Sequence, residues 1–390
     1  LGGMAADGIP GFRLDDRSLA ADIDAIRELG VGIHTGVQVD ADRFAALRRA
    51  YNCVYIAIGA QNSLRLGIPG EEVKGVWDQL SFLSAVRRGD APDIGSSVAV
   101  IGGGNAAMDA ARTALRLVGP GGRVHILYRR TRAEMPADAE EVQAALDEGV
   151  ELVELTAPEC VLAEDGWVTS NLCFRMRLGE PDDSGRPRPT RIEGSEFKIA
   201  VDTVISAIGQ SVAVDFFPES ELRIDPETLE TQLADVFAGG DAVRGAASLI
   251  LAIGDGQKAA RGIARKAGLK LNLAAEGTDA GQVDPGALEI LRARRIYGPD
   301  MPERPARERA DFELVTGVLQ DEAARAEARR CMQCDLLCNI CVTVCPNRAN
   351  IAYAAVTGAY PVAKAAAGPG GATWETVDQV TITQEPQVLN

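Results

Sequence analysis

The chain has 390 residues, with 40 Lys and Arg against 56 Asp and Glu, a formal net charge of −16. At roughly 150 residues per domain this makes two or three domains with cores of their own, and 46% hydrophobic with 25% charged residues excludes a disordered chain. The acidity excludes sequence-independent nucleic-acid binding and attachment to an anionic membrane surface, both of which draw on Lys and Arg.

The 41 glycines and only 5% aromatics point to an α/β protein with many tight strand–helix turns. No apolar run approaches the ~20 residues that span a bilayer, and no signal-peptide pattern is present, so the expected compartment is the cytoplasm. Two histidines, His34 and His125, leave little room for a histidine general base. The sequence opens on Leu1 with its first methionine at Met4, which we read as a start lying further upstream.

The first strong strand is Val54–Ala60, an apolar run ending in Ala-Ile-Gly; Val204–Gln210 matches it and reads as an internal duplicate. Between them, Val98–Ile101 reads as a buried parallel strand. It is followed by Gly102-Gly103-Gly104-Asn105-Ala106-Ala107 and then a run with helical apolar spacing. Strand, G-x-G-x-x-A and helix together form a dinucleotide fingerprint: Gly102 for the tight turn, Gly104 for backbone approach to a pyrophosphate, Ala107 for helix–sheet packing. The helix N-terminus would face the phosphates.

The next strand, Val124–Tyr128, ends in Arg129-Arg130-Thr131-Arg132. An NAD site would put Asp or Glu there; arginines suit a 2′-phosphate, so NADP(H) is expected. Tyr128 is expected to pack in the strand. Residues 179–194 read as a turn-rich excursion. Val236–Asp241 is a short strand ending in Gly239-Gly240-Asp241, with a helix over 246–266. An aspartate there can hold a ribityl or ribose hydroxyl. Residues 271–315 read as a linker, and a helix over about 319–330 feeds a cysteine cluster.

Cys53, Cys160 and Cys173 are expected to be buried small hydrophobes. The remaining five, Cys331, Cys334, Cys338, Cys341 and Cys345, fall within fifteen residues. Cys338-x2-Cys341-x3-Cys345-Pro346 reproduces the end of a bacterial ferredoxin run, favouring a [4Fe–4S] cluster over zinc, although the gap before Cys338 is one residue longer than that pattern. Which four of the five ligate is left open by the spacing.

Together these strings resemble the glutamate synthase small-subunit family of NADPH-dependent flavoproteins, which share a two-dinucleotide-domain fold with glutathione and thioredoxin reductases. GGMAADGIPGFRL, IPGEEVKGVWD, VIGGGNAAMDAARTALR, YRRTRAEMPA, DTVISAIGQS and VFAGGDAV carry the likeness from residue 1 to about 345. The run RCMQCDLLCNICVTVCPNRANI looks most like the selenate-reductase (YgfK-type) iron–sulfur flavoproteins, because ordinary small subunits carry their cysteines before the flavin domain.

The resemblance implies NADPH on Gly102, Gly103, Gly104, Asn105, Ala106, Arg129 and Arg130, with Gly209 alongside. It implies FAD near Gly3, Met4, Gly8, Ile9, Gly240, Asp241 and Ser248. The expected architecture is two Rossmann-like domains, one inserted in the other, plus a ferredoxin-like segment. The flavin domain would comprise 1–92 and 207–270, and the NADPH domain 93–206, able to stand on its own. A linker and helix over 271–327, an iron–sulfur segment over 328–353 and a tail over 354–390, leading toward a second ferredoxin half, would come after them.

The family's first strand–GxGxxG–helix unit has no match here, so the chain by itself is expected to hold FAD poorly and to have a marginal first domain. The expected function is electron transfer from NADPH through FAD to the cluster and on to an acceptor that the sequence does not name. No acid–base residue is required, and a redox partner or a larger chain is implied. The alternative is a non-enzymatic electron-transfer or docking module with an incomplete flavin site.

Overall fold

The computed structural model describes residues 1–181, 185–212, 214–216, 222–269 and 297–330, and the backbone of 358–368 and 371–382. The chain forms two compact units, Leu1–Leu273 with Pro302–Gly317, and Ala274–Met301 with Val318–Asn390. In chain order the first unit begins with α1 (Met4–Asp7), α2 (Asp16–Glu28), α3 (Ala41–Ala50), β1 (Val54–Ile56) and β2 (Asn62–Ser63). Next come β3 (Val76–Asp78), α4 (Gln79–Arg87), β4 (Ser97–Ile101), α5 (Asn105–Leu117), β5 (Arg123–Leu127), α6 (Ala139–Glu148) and β6 (Glu151–Val153). An antiparallel group succeeds them: β7 (Thr156–Glu164), β8 (Trp167–Pro181), β9 (Pro187–Arg191) and β10 (Phe197–Ala200). The unit then runs through β11 (Thr203–Ser206), β12 (Gln210–Ser211), β13 (Val236–Ala238), α7 (Asp241–Arg244) and α8 (Leu249–Lys266).

Helix starts are set by local chemistry. Asp15, Asp40 and Asp78 cap α2, α3 and α4, each accepting from backbone N–H groups of the first turn. Helix α5 starts differently, on Gly104, which has no side chain to offer.

The largest sheet is parallel, in the order β3-β11-β4-β5-β6. Its strands read as nearly continuous apolar runs because both faces are covered. On one face Val98, Val100 and Ile126 pack with Phe82 of α4 and Ala107, Met108 and Ala111 of α5; on the other Ala99, Ile101 and Leu127 pack with Val161, Val168 and Cys173 of the antiparallel strands. The sheet takes in β3, which lies before residue 93, where the NADPH domain was expected to begin. Trp77 of β3 packs against the first of these cores and Val76 against the second.

Chain order reverses between β4 and β11, since β4, β5 and β6 succeed one another to one side of that boundary. That is the switch point at which open α/β sheets bind ligands, outside the carboxyl ends of the strands. The turn-rich excursion holds β9, with Pro187 and Pro189 on an edge strand that pairs only with β8, as residues lacking an N–H require.

Strands β1 and β13 pair in parallel over a third core of Phe44, Ile56, Leu222, Val236 and Ala238. The two Ala-Ile-Gly strings lie in different sheets, yet the short strands just beyond them meet: β2 and β12 pair antiparallel, and the Leu64 N–H donates to the Gly209 carbonyl at 3.0 Å.

Residues 302–317, expected as linker, dock on the first unit. The Val315 N–H donates to the Phe12 carbonyl at 2.9 Å, and Arg116 Nε to the Asp311 carbonyl at 2.6 Å. Beneath them Glu148 accepts from Arg112 at 2.6 Å and Arg116 at 2.8 Å, and Arg309 lies 3.6 Å away. Phe12 is fully buried under the Arg112 and Arg116 guanidinium groups.

In the second unit, α9 (Asp321–Arg329) is the expected helix before the cysteines. β14 (Gly358–Gly368) and β15 (Gly371–Ile382) form an antiparallel hairpin in the segment expected as a tail. Residues 331–357, with all five clustered cysteines, lie outside the described residues.

Candidate functional site

At the switch point the glycine loop is built for close backbone approach. Gly102 has φ +151, and a Cβ on it would lie 2.2 Å from the Ala207 carbonyl oxygen, so the turn admits glycine only. A Cβ on Gly103 would fall 2.5 Å from the Tyr128 ring, which is buried and anchored by its hydroxyl donating to the Glu134 carbonyl at 2.8 Å. Gly104 has nothing within 4 Å of its Cβ position. That open space, at a helix start without a side-chain cap, leaves room for an anion over the first N–H groups of α5. Asn105 ties the start of α5 to that of α6: its Oδ1 accepts from the Asp138 N–H at 2.9 Å and its Nδ2 donates to Asp138 at 3.0 Å. Ala106 is half-buried beside it, and Ala107 is fully buried against the sheet.

The two arginines after β5 part company. Arg129 is exposed and has no hydrogen bond or ion pair among the described residues. Arg130 is 2% exposed, and its Nε donates to the Pro187 carbonyl of β9 at 2.8 Å. The expectation put both on the nucleotide; the structure ties the Arg130 side chain to the antiparallel layer and leaves Arg129 exposed in the bend after β5. Gly209, with φ +129, lies just past β11 on the other side of the switch point.

A second concave region, a cleft of about 350 Å³, lies at the carboxyl end of β1. Gly3, Met4 and Gly8 line one side, Ala57 to Gln61 the floor, and Ser81, Ser84 and Arg88 another side, with Asp241 completing it. Gly3 (φ +52) and Gly59 (φ +70) both have open space where a Cβ would stand. Four residues read from the sequence thus come together: Gly3, Met4, Gly8 and Asp241. Gly240, Ile9 and Ser248 do not line it. Gly240 (φ +65, ψ −153) shapes the turn that presents Asp241. Ile9 donates its N–H to the Met4 carbonyl at 2.9 Å, and Ser248 is exposed at the start of α8.

The turn before Asp241 is held from α8. Asp255 accepts from the Gly240 N–H at 2.8 Å and from Arg244 Nε at 3.0 Å. The Arg244 hydrogen bonds hold its carboxyl below the usual range. Asp241 itself accepts from the Ala247 N–H at 3.1 Å.

Sequence reasoning missed Ser81, Ser84 and Arg88, because nothing in a short amphipathic helix marks which polar residues face a cleft. It read Val54–Ala60 only as a strand with an internal duplicate, although the Ala-Ile-Gly string was the available signal for this side of the cleft. The Cys173 thiol, pushed up to about 12 by burial, is the inert core residue expected. Among the described residues no group of His, Cys, Asp and Glu forms a metal site. No helix among them is long and apolar enough to cross a membrane.

Comparisons with known proteins bear on this geometry. The family model described as pyridine nucleotide-disulphide oxidoreductase matches residues 34–259. The NADP(+)-dependent formate dehydrogenase subunit beta of Moorella thermoacetica is 41% identical over 352 residues, covering 85% of this chain and 49% of that protein. YgfK of Escherichia coli K12 is 33% identical over 361 residues, covering 90% of this chain and 33% of that protein. The chain therefore spans about half the length, or less, of these relatives. Among solved structures, Mycobacterium tuberculosis FprA in complex with NADPH superposes with a TM-score of 0.54 at 18% identity, over 69% of this chain and 77% of that one. That likeness carries the fold alone.

Proposed function

The chain belongs to the pyridine nucleotide-disulphide oxidoreductase family, and from that premise we propose that it takes electrons from NADPH through FAD to a [4Fe–4S] cluster and on to a partner. The observation that carries the reading is the Gly102–Gly104 loop at the switch point, with open space over an uncapped helix start and the unpaired Arg129 at the end of the next strand. In this reading Gly102 to Ala106 take the pyrophosphate on backbone N–H groups, Arg129 takes the 2′-phosphate, and Gly209 flanks the nucleotide.

The cleft of Gly3, Met4, Gly8, Ala57 to Gln61 and Asp241 would hold the flavin nucleotide; its positive-φ glycines leave the space such a group needs. When bound, nicotinamide and flavin supply hydride chemistry and the cluster one-electron chemistry. The chain's own work is to bind, orient and exclude water. No side chain need move a proton, and neither His34 nor His125 lines the cleft. Cysteine spacing supports ligation by four of Cys331, Cys334, Cys338, Cys341 and Cys345. Two relatives, from Moorella thermoacetica and Geobacter sulfurreducens, are named as beta subunits, which supports a partner subunit or a larger chain. We place the protein in the cytoplasm.

An anaerobic titration of the iron- and FAD-supplied protein tests this. Flavin absorbance bleached by NADPH in preference to NADH, together with a broad iron–sulfur band, is the expected result. An iron–sulfur band without bleachable flavin would make the chain a carrier module instead, and a colourless zinc protein would sink both readings.

A further inference from the structure

Four α-helices of the first unit begin on an aspartate, and one of these does not serve its own helix. Asp15, Asp40 and Asp78 accept from first-turn N–H groups, whereas Asp138 at the start of α6 makes no such bond. A side-chain cap is worth about 1 kcal/mol to a helix, so the stability of α6 does not account for where this carboxylate points. It points to the start of α5. Asp138 accepts from Asn105 Nδ2 at 3.0 Å, and its own N–H donates to Asn105 Oδ1 at 2.9 Å. One residue earlier, the Ala137 N–H donates to the Gly103 carbonyl at 3.1 Å. Three hydrogen bonds thus fix this turn against the glycine loop, and the Asp138 charge stands one asparagine side chain from the first turn of α5.

The surrounding charges do not cancel it. Glu140 and Glu141 share the first turn of α6. Arg13 lies close enough to feel Asp138, but it is committed to Asp109 at 2.8 Å and Glu141 at 2.9 Å. Arg112 serves Glu141 at 2.9 Å and Glu148 at 2.6 Å. A cradle suited to an anion is therefore bordered by a tethered carboxylate. A negative charge in that place weakens pyrophosphate binding, and the pyrophosphate is common to the oxidised and reduced nucleotide. Uniform binding of that kind deepens the bound state without aiding the reaction, so holding it down lets spent nucleotide leave.

We propose that Asp138 is an affinity-setting residue of the dinucleotide site, a tethered negative charge that holds down the affinity for the nucleotide's pyrophosphate so that the nucleotide exchanges. The inference rests on the reading of the Gly102 loop as a dinucleotide site, and holds whichever dinucleotide the site takes. Asn105 is then the positioning residue that keeps the carboxylate at the start of α5.

The test is isothermal titration calorimetry of the whole chain with NADP+ and with NAD+, which share the pyrophosphate. Asp138→Asn keeps an acceptor for Asn105 and removes the charge. It should bind both nucleotides about fivefold more tightly at low salt, the effect of one solvent-screened charge several ångströms away, and the gain should shrink as salt is raised. Asp138→Ser, which also removes the charge and can cap α6 through its hydroxyl, should show the same gain and carries the test if the asparagine variant melts early. Asp138→Glu keeps the charge and should show no gain. Asp147→Asn, near the other end of α6, changes the net charge equally and should bind as wild type does. Unchanged or weaker binding in both neutral Asp138 variants would overturn the proposal, as would an equal gain in Asp147→Asn or Asp138→Glu. A gain confined to NADP+ would also overturn it, because the carboxylate would then stand by the 2′-phosphate. A wild type that prefers NAD+ would overturn the NADP(H) reading and leave the role of Asp138 standing, and one that binds neither nucleotide would overturn both.

Discussion

The Tyr128 ring stands where a side chain on Gly103 would have to go, and its hydroxyl bond to the Glu134 carbonyl keeps it from swinging away. Gly103→Ala should therefore cost about 1–3 kcal/mol through overpacking. Urea unfolding should show a smaller cost in a Tyr128→Leu background, and an equal cost in both would mean that the ring is not the obstacle. Glu148 presents the opposite case, a charge needed where it is buried. Burial pushes its carboxyl up, but hydrogen bonds from Arg112 and Arg116 more than reverse this and hold it below its ordinary 4.5. A carboxylate lowered in the folded state contributes stability that is complete above pH ~4.5 and lost as pH falls through the folded value. Glu148→Gln leaves two buried guanidinium groups short of a counter-charge and should cost roughly 3–5 kcal/mol at neutral pH. It should also flatten the acid side of the stability curve; an unchanged acid limb would show that other carboxylates control it. At this scale the glycines were legible from spacing, whereas the reason for Gly103 was not. Its obstacle sits on the next strand.

Among the elements, α4 matters most to the cleft, because it carries Ser81, Ser84 and the adjoining Arg88 to one wall. Its orientation is set where β3 becomes α4. Asp78 accepts from the Leu80 and Ser81 N–H groups at 3.0 Å each and from the Ser63 hydroxyl at 2.5 Å. Burial works against its ionised form, and these hydrogen bonds outweigh that, leaving the carboxyl below its usual range. Asp78→Ala should cost about 1–2 kcal/mol and loosen flavin binding, while Asp78→Asn, which still accepts, should lose less of both. Thermal melts with and without added FAD check this, and equal losses in the two variants would mean the cap is not what aims the helix. Helix α5, the β4–β5 pair and α9 were legible in the sequence because the periodicity or composition that marks them is written within a few residues. Strand β9 was read as an irregular excursion, since two prolines in five residues mask a strand that only an edge position tolerates.

For the molecule as a whole, the sheet draws on chain before residue 93. Phe82 and Leu83 of α4 are part of its core, and β3 covers one edge of β11. A fragment of residues 93–206 would lose both and expose a strand edge, so one of residues 73–206 should melt at a higher temperature and with a sharper transition. Identical melts would show that β3 and α4 are accessory. The segment 302–317 makes the same point from the other end: Arg309 reaches back to Glu148, and Phe312 to Phe12 across most of the chain. The fold class, the glycine loop, the expectation of a 2′-phosphate and the grouping of eight cysteines into three and five were all read from the sequence alone. All of these rest on residue types at separations of a few positions, where backbone geometry ties spacing directly to shape. Only the tertiary structure decided that Arg130 turns inward to a carbonyl 57 residues away and that α4 walls the cleft. Those pairings depend on which surfaces the sheet twist and the buried cores bring together, and no local period in the chain records that.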